Sequence, residues 1–347
     1  MSSWAIQERS DYRRSNNGVV EKPARPVIEM LWESDAPDDV LRQRFGFEDV
    51  EAASRWVVRY VETLWGVRVQ SCERIVMSAH NALAWLDGPS GPMLLKWSIA
   101  PEVFPRLTAT AELTNWLASR GLAVSAPLPA LDGRLHIEID GVSMGMQRTI
   151  DGDLLDVSEP DQVHAAGAAL ARLHHALCLY PAVDQVPGIR APRPLAGRVT
   201  AWLDSNPEPV SPVAGVALRR LVEKASVAPM PTQLIHGDYR AANILVAGDE
   251  VVGILDLEEV WLDHPIMDVA RSAVMLGTLF REWGPVSDEV RAHFRAGYES
   301  ERRLSAAEAS WWPALVLWWS LMLTPAGDDP TGWGAAAMSQ VADLDEA

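Results

Sequence analysis

The sequence predicts an α+β protein of two lobes, in which a small lobe with an antiparallel sheet and one helix precedes a large, mainly helical lobe. Short apolar runs separated by turn residues, at 73–77, 82–86 and 93–97, are typical of strands in the first lobe. In the second half, apolar residues recur at helical spacing, most clearly over 162–179. Two further apolar runs frame a polar segment at 236–243, which we expect to form a loop between two strands of one small sheet.

Four segments are expected along the chain: an N-terminal extension, the small lobe, the large lobe and a loose C-terminal tail rich in Gly, Ala, Asp and Pro. Their bounds are 1–66, 67–147, 148–326 and 327–347. The polar start of the extension, up to residue 26, is expected to be irregular or to act as a docking arm. Helices are predicted at 38–45 and 50–64, and the apolar stripe of the second is expected to pack on the small lobe.

Within the small lobe, the turn of the first hairpin carries Ser78, and the strand at 93–97 carries a single lysine, Lys96. Apolar residues then recur near helical spacing over 107–119, which predicts a helix with Glu112 in its middle. These polar residues lie on neighbouring elements and are candidates for a shared site.

A second hairpin, with strands at 135–138 and 143–147, is expected to complete the small lobe before the chain crosses to the large one. Met144 and Met146 alternate on one face of its second strand, which ends at Gln147. The two methionines could line a ligand slot or fill the core, and core filling is the more common role of Met.

The large lobe is predicted to be helical around the polar loop. Helices are expected over 162–179, 195–203 and 214–225, from 269 onward, and around Trp311, Trp312, Trp318 and Trp319. His174 and His175 do not suggest a metal pair, because adjacent helix residues do not face each other. Asp268, at the start of the helix from 269, is expected to accept backbone N–H groups as a cap.

The polar loop reads His236-Gly237-Asp238-Tyr239-Arg240-Ala241-Ala242-Asn243, and Asp256 follows a second apolar run thirteen residues later. A carboxylate, an amide and a second carboxylate at this spacing suit phosphoryl transfer. Asp238 would take the proton of an attacking hydroxyl, whereas Asn243 and Asp256 would bind the magnesium ions that bridge nucleotide phosphates. A structural alternative is an Asp-capped turn. A zinc site has little support, because the two cysteines lie far from His236 and from each other.

With its His-Gly-Asp-x-x-x-x-Asn motif followed by Ile-Leu-Asp, the sequence resembles the aminoglycoside phosphotransferase family, whose relatives include choline and homoserine kinases. The resemblance covers roughly residues 68–321. It implies a protein-kinase-like fold and a Mg²⁺-dependent kinase that uses ATP or GTP to phosphorylate a hydroxyl of a small molecule. His-Gly-Asp, where protein kinases typically have His-Arg-Asp, points to the branch that acts on small molecules.

The resemblance also assigns nucleotide contacts in the small lobe. Lys96 would reach the nucleotide phosphates and would be held by an ion pair with Glu112. Since G-x-G-x-x-G is absent, the turn at Ser78 would cover the phosphates with its hydroxyl and backbone N–H groups. The segment that begins at Gln147 would meet the adenine edge. Taken singly, Lys96 is better explained as a surface lysine at a strand end and Glu112 as part of a solvated helix face, and only together with the downstream loop is the functional interpretation favoured.

Three further residues have candidate roles near the reacting groups. Arg240 follows Asp238 by two positions and either stabilises charge on the transferred phosphoryl group or forms a surface salt bridge. Glu258 and Asp263 are weaker candidates for contacts with an amine on the acceptor. The resemblance further implies that acceptor contacts come from the tryptophan-rich region, namely from Trp283, Trp312 or Trp319.

Composition limits the classes of partner. The formal net charge of -17 argues against nucleic-acid binding and could attract a cationic acceptor, although it could also serve solubility alone. No apolar run is long enough for a membrane span, and two cysteines fit a reducing compartment, so we expect a cytoplasmic protein without a membrane partner. The oligomeric state is not predicted.

Two other classes stay open. A non-catalytic kinase-like binding protein would not need the complete set of Lys, Glu, Asp, Asn and Asp residues. A protein kinase would need a glycine-rich loop and more than the eleven residues that separate Asp256 from Asp268. Among small-molecule kinases, the sequence leaves the acceptor open between aminoglycosides, amino sugars, homoserine and choline, with an amine-bearing acceptor expected from the charge.

Overall fold

The computed structural model describes residues 25–205, 207–208 and 210–346. In chain order, the small lobe contains β1 (Val27–Met30), α1 (Pro37–Gln43), α2 (Val50–Trp65), β2 (Ser71–Met77), β3 (Asn81–Asp87), β4 (Met93–Ser98), α3 (Phe104–Ser119), β5 (Ile137–Ile139) and β6 (Val142–Arg148). The large lobe contains β7 (Asp153–Leu154), α4 (Pro160–Cys178), α5 (Leu195–Asp204), α6 (Pro212–Lys224), β8 (Gln233–Ile235), β9 (Ile244–Ala247), β10 (Glu250–Ile254), β11 (Trp261–Asp263), α7 (Pro265–Met275), α8 (Asp288–Glu301), α9 (Ala306–Leu323) and α10 (Trp333–Glu346).

The small lobe is built on a six-stranded sheet with the order β1-β2-β3-β4-β6-β5. All neighbouring strands are antiparallel except β1, which pairs in parallel with β2 and which the sequence analysis did not predict. The register places Lys96 of β4 between Leu83 of β3 and Gly145 of β6. The predicted antiparallel sheet is confirmed, and its central strand carries the lysine.

The helices of the N-terminal extension pack on this sheet. Asp49 caps α2 by accepting a hydrogen bond from the Ala52 N–H at 2.7 Å, and Gly66 ends the helix in the left-handed conformation. The apolar stripe of α2 is buried in one core with Trp97 and Met144 of the sheet. Met144 therefore fills the core. The predicted arm at residues 1–24 lies outside the described residues.

The two strands around the polar loop belong to different sheets. β8 pairs with β11, whereas β9 lies between β10 and β7 in a three-stranded sheet. The prediction that they form one small sheet is wrong, because β9 pairs with β10 in a short hairpin while β8 pairs with β11, which lies more than twenty residues further along the chain. The loop consequently bridges two sheets, and the end of β10 brings Asp256 towards it.

The C-terminal segment is a helix, not the loose tail that its composition suggested. Trp333, Ala337 and Val341 recur every fourth residue, so they form one stripe of α10, and all three are buried in the core with α9. The Gly and Asp residues before this helix obscured the stripe. Within the described part of the chain, no helix combines the length and apolar character needed to span a bilayer.

Candidate active site

Gly237 sets the backbone of the polar loop. Its φ of +83° lies in the left-handed region, and a Cβ there would lie 2.6 Å from the Glu259 carbonyl oxygen and 2.7 Å from the Trp261 ring. A side chain at this position would clash with the segment that leads to β11. The second residue of His-Gly-Asp is therefore glycine for a conformational reason.

Asp268 holds the backbone of the polar loop through hydrogen bonds. Its carboxylate accepts hydrogen bonds from the N–H groups of His236 at 2.7 Å and Gly237 at 3.1 Å, and from His174 Nε2 at 3.0 Å. Burial opposes ionisation of Asp268, but the hydrogen bond and the charge interaction with His174 outweigh it and lower its pKa. The predicted role of Asp268 as a helix cap is wrong, because the cap position is His264 and the carboxylate instead accepts N–H groups of the polar loop.

His236 links the loop to the strand before Asp256. Its buried ring donates from Nε2 to the Leu255 carbonyl at 2.9 Å, while Nδ1 accepts the Asp238 N–H at 3.1 Å. This arrangement needs a neutral imidazole, and burial lowers the pKa of His236 accordingly. A backbone bond from Leu255 N to Asn243 O at 2.9 Å joins the same two segments a second time.

Asp238 lies where these segments meet, with a side chain that is 11% exposed. Arg240 Nε donates to both carboxylate oxygens, at 3.2 and 3.1 Å, and Asn243 Nδ2 donates to Oδ2 at 3.0 Å. Burial disfavours the charged form, but the charges of Arg240 and Arg271 together lower the pKa of Asp238. The carboxylate is therefore ionised, oriented and still accessible.

The oxygen atoms beside Asp238 fit a magnesium ion. Asn243 Nδ2 is used by Asp238, whereas Asn243 Oδ1 is buried and has no hydrogen-bond partner among the described residues. Asp256 adopts a left-handed backbone with φ of +59°, which is strained for a residue other than glycine. An amide oxygen free to ligate and a nearby carboxylate are the hard donors that Mg²⁺ prefers.

Lys96 pairs with a different carboxylate from the one predicted. Its Nζ contacts Glu258 Oε1 and lies 4.0 Å from Asp256 Oδ1. Burial disfavours the charged form of Glu258, but the Lys96 ammonium holds its pKa below the usual range. The predicted pair with Glu112 is not formed, because Glu112 is exposed and interacts with Tyr180 on the far side of α3.

Helix geometry explains the difference. The face of α3 that lines the cleft carries Leu107, Thr110, Ala111 and Thr114, which recur at helical spacing. Glu112 is rotated by about 100° from Ala111 and points away from that face. The segment with Glu258 is instead held against α3 by Arg106, whose Nε donates to the Glu258 carbonyl at 2.7 Å and whose Nη2 donates to the Val260 carbonyl.

A cleft between the lobes encloses about 880 Å³, including the part that is open to solvent. Lys96, Asp256 and Gln147 line it, so Gln147 lies where a nucleotide contact was predicted. Ser78 is not part of the described cleft lining. It is buried, and its N–H at 2.8 Å and its hydroxyl at 3.3 Å both donate to the Asn81 carbonyl, which closes the hairpin turn.

The two carboxylates suggested for amine binding are both paired with cations. Glu258 contacts Lys96 inside the cleft, as described above. Asp263 is buried and accepts two hydrogen bonds from Arg198 Nη1, at 2.9 and 2.7 Å, as well as the His264 N–H at 2.8 Å. Neither carboxylate is therefore an unpaired negative charge that faces Asp238.

Sequence analysis missed a second arginine beside Asp238. Arg271 Nη2 lies 3.6 Å from Asp238 Oδ1, and its guanidinium lies over the rings of Trp261, at 5.6 Å, and Trp319, at 5.3 Å. The spacing between Asp268 and Arg271 in the sequence is the signal that could have revealed this arginine. Arg271 lies three residues after Asp268 on α7, so it points to the same side of the helix as the residue that holds the loop.

Comparisons with known proteins show the family to which the chain belongs. A model of the phosphotransferase enzyme family, APH, matches residues 71–309. Among curated proteins, the homoserine kinase of Rhizobium meliloti (strain 1021) is 28% identical over 211 residues, which cover 59% of this chain and 62% of that protein. The chain therefore spans about three fifths of the length of this relative.

Solved structures show the same fold at low sequence identity. Amicoumacin kinase hAmiN, in complex with AMP-PNP, Ca²⁺ and Ami, has a TM-score of 0.58 at 13% identity and covers 84% of this chain and 93% of its own. Spectinomycin phosphotransferase APH(9)-Ia, in complex with ADP and spectinomycin, has a TM-score of 0.54 at 13% identity and covers 84% and 94%. The predicted bilobal fold is confirmed, and the chain belongs to the phosphotransferase enzyme family.

Proposed function

We propose that this protein transfers the γ-phosphoryl group of ATP or GTP to a hydroxyl group of a small molecule. The observation that carries the proposal is the position of Asp238. Its carboxylate is fixed and ionised, and it lies beside Asn243, whose buried Oδ1 has no partner among the described residues. A base next to an oxygen atom that is available to a metal ion is an arrangement that suits phosphoryl transfer.

In the proposed reaction, Asp238 accepts the proton of the acceptor hydroxyl as that oxygen attacks the γ-phosphorus. The new O–P bond forms while the bond to the β–γ bridging oxygen breaks, which releases ADP or GDP. Asn243 and Asp256 would hold Mg²⁺, which supplies positive charge to the phosphate oxygens when bound. Lys96, held by Glu258, would contact the phosphates from the small lobe.

Arg240 is proposed to hold Asp238 in place and to supply positive charge close to the transferred group. The surface salt bridge considered from the sequence does not describe it, because its side chain is 5% exposed. Its Nε contacts Asp238, and its Nη1 donates to the carbonyls of Thr278 and Leu279 at 3.3 Å. These bonds fix the angle at which the carboxylate faces the acceptor.

The acceptor is proposed to be a small amine-bearing molecule, such as an aminoglycoside or an amino sugar. This proposal now rests on the overall negative charge, because Glu258 and Asp263 are paired with Lys96 and Arg198. A metabolic acceptor is the alternative, and the curated relative named above is a homoserine kinase. Homoserine carries both an amine and a hydroxyl, so it fits both the amine-bearing and the metabolic proposal, whereas choline carries a hydroxyl and a quaternary ammonium group in place of the amine.

The test is transfer of labelled γ-phosphate from ATP or GTP, with Mg²⁺, to kanamycin, spectinomycin, glucosamine, L-homoserine and choline. Label is expected in at least one small molecule, and Asp238→Asn serves as the inactive control. Nucleotide binding without transfer to any small molecule would indicate a non-catalytic binding protein. Label on added protein instead would indicate a protein kinase.

A further inference from the structure

Two arginines flank the carboxylate of Asp238, and they differ in how their hydrogen-bond donors are used. Arg240 donates from Nε to Asp238 and from Nη1 to two main-chain carbonyls. Its guanidinium also lies 5.7 Å from the ring centre of Phe280 and 5.6 Å from that of Trp283. Arg240 is therefore a built-in support for the base.

Arg271 is held by ring contacts and by its charge interaction with Asp238, and two of its three guanidinium nitrogens have no hydrogen-bond acceptor among the described residues. Nε and Nη1 are buried, and no group among the described residues accepts a hydrogen bond from either. Nη2 lies 3.6 Å from Asp238 Oδ1, which is too long for a hydrogen bond. The side chain is 20% exposed and lies between the indole rings of Trp261 and Trp319.

Burying two N–H donors of Arg271 without an acceptor is unfavourable for the stability of the fold. A buried N–H group without an acceptor has lost its water and gained no partner, so native proteins rarely keep one without a reason. An apolar side chain would fill the space between Trp261 and Trp319 without this penalty. The donors of Arg271 are best explained by a ligand that accepts from them.

The location of Arg271 identifies that ligand as the acceptor. Lys96, Asp256 and Glu258 lie in the cleft on the nucleotide side, whereas Trp261 and Trp319 belong to β11 and α9 of the large lobe. A molecule whose hydroxyl reaches Asp238 from the large lobe would lie against Arg271.

The chemistry of the guanidinium identifies the group that is bound. A guanidinium presents a planar fork of donors that matches a carboxylate, and two aromatic faces hold this fork in one orientation. Asp263, whose carboxylate accepts a hydrogen bond from the Trp261 indole at 3.3 Å, is already paired with Arg198. We propose that Arg271 binds a carboxylate group of the acceptor, an inference that rests on the proposed kinase function.

The acceptor is then a hydroxy acid, and with an amine it is a hydroxy amino acid. This differs from the expectation for a purely cationic antibiotic, because Arg271 would repel a positive charge beside Asp238. It also gives Arg271 a role in substrate selection that is separate from the positioning role of Arg240.

The experiment compares three acceptors that differ by one group. L-homoserine has an amine and a carboxylate, 3-amino-1-propanol lacks only the carboxylate, and 4-hydroxybutanoate lacks only the amine. Affinity is measured by calorimetry with Mg²⁺ and AMP-PNP present, and KM and kcat are measured with ATP. The variants are Arg271→Gln, Arg271→Lys and the control Arg295→Gln, which removes an arginine that lies 5.0 Å from the Trp312 ring, far along the chain from the loop.

The full-length wild type is expected to bind the two carboxylates at least tenfold more tightly than 3-amino-1-propanol. Arg271→Gln should raise Kd and KM for both carboxylates by about 10- to 100-fold, because a charged hydrogen-bonding partner is lost, and should leave 3-amino-1-propanol within about twofold. Arg271→Lys should give Kd and KM values for the carboxylates between those of the wild type and those of Arg271→Gln, because lysine keeps the charge but lacks the planar fork of donors. Arg295→Gln should match the wild type.

Equal binding of all three acceptors by the wild type, or no binding of either carboxylate, would overturn the proposal. So would a fall in kcat of equal size for all three acceptors in Arg271→Gln, because Arg271 would then act on the phosphoryl group. If Arg271→Gln fails to fold, the wild-type comparison and Arg271→Lys still decide the question. Failure of the kinase function itself would appear differently, as carboxylate-selective binding without phosphoryl transfer to any acceptor.

Discussion

The two sides of Asp238 are built in different ways. On the nucleotide side, Lys96 contacts Glu258 and lies 4.0 Å from Asp256, so acidic groups outnumber the single cation. On the proposed acceptor side, Arg271 lies between Trp261 and Trp319 with Nη2 3.6 Å from Asp238 Oδ1, and its buried Nε and Nη1 have no acceptor among the described residues.

Under the proposed function, the difference reflects the ligand that each side has to bind. Nucleotide phosphates arrive with metal ions, so oxygen ligands and one lysine suffice, and the loop backbone places them within a few residues of one another. Different acceptor molecules have only a hydroxyl group in common, so their recognition depends on side chains from several elements. The reaction can therefore be inferred from short motifs, whereas the acceptor must be inferred from the folded large lobe.

The largest effect is expected from substitution of Asp238, which lies between the nucleotide side and the acceptor side. Asp238→Asn keeps the shape of the side chain but removes the base, so kcat should fall by about 10²- to 10⁴-fold. Nucleotide affinity, measured by calorimetry, should stay within a few fold because Asn243 and Asp256 are intact. Turnover close to that of the wild type would show that Asp238 is not the base.

The next effect separates the nucleotide side from the acceptor side. Asp256→Ala should abolish the magnesium dependence of nucleotide binding and weaken that binding by on the order of 10²-fold, because a metal ligand is lost. Asp256→Asn is the matched variant, since Asn tolerates the left-handed backbone and keeps one oxygen, and it should retain part of the affinity. An unchanged magnesium dependence in calorimetry of Asp256→Ala would refute the assignment.

The arrangement of the polar loop and Asp256 was predictable from the sequence, whereas the predicted pairing of Lys96 with Glu112 was wrong and Ser78 does not line the described cleft. The spacing of Asp238, Asn243 and Asp256 follows from one loop and one strand, and the structure brings these residues together through the bonds of His236 and Leu255. Local spacing suffices there because few conformations can connect residues so close along the chain.

What could not be predicted depends on contacts between distant elements. The sequence analysis assigned Glu112 to Lys96 and Glu258 to the acceptor, and only the orientation of α3 and the bonds made by Arg106 place Glu258 beside Lys96. Arg271 is one of many arginines until α9 brings Trp319 against it. The stripe of α10 was hidden by neighbouring residues typical of a tail.

The loop that separates the two sides offers a test of stability. Gly237→Ala should destabilise the protein by about 2–4 kcal/mol, because Ala is strained at positive φ and its Cβ would clash with the Glu259 carbonyl. Gly248→Ala is the matched control, with a φ of +61° and no atom within 4 Å, and should cost about 1 kcal/mol. Chemical denaturation of both variants measures the difference, and equal losses would contradict the packing argument.

The smallest effect decides which carboxylate serves Lys96. Glu258→Gln should raise the KM for the nucleotide by about tenfold, because the lysine loses its charged partner in a partly buried site. Glu112→Gln should stay within about twofold of the wild type, since Glu112 is exposed and interacts with Tyr180 on the far side of α3. Thermal melting of both variants is the control for folding.

The reverse result would be equally informative about the nucleotide side. If Glu112→Gln raised the KM while Glu258→Gln did not, α3 would have to rotate when nucleotide binds, so that Lys96 exchanges Glu258 for Glu112. The segment fastened by Arg106 to α3 would then have to release Glu258, because Arg106 holds the carbonyl of that same residue. In that case, adding Arg106→Gln should enlarge the rise in KM that Glu112→Gln causes. If Glu258 is instead the partner of Lys96, Arg106→Gln alone should weaken nucleotide binding.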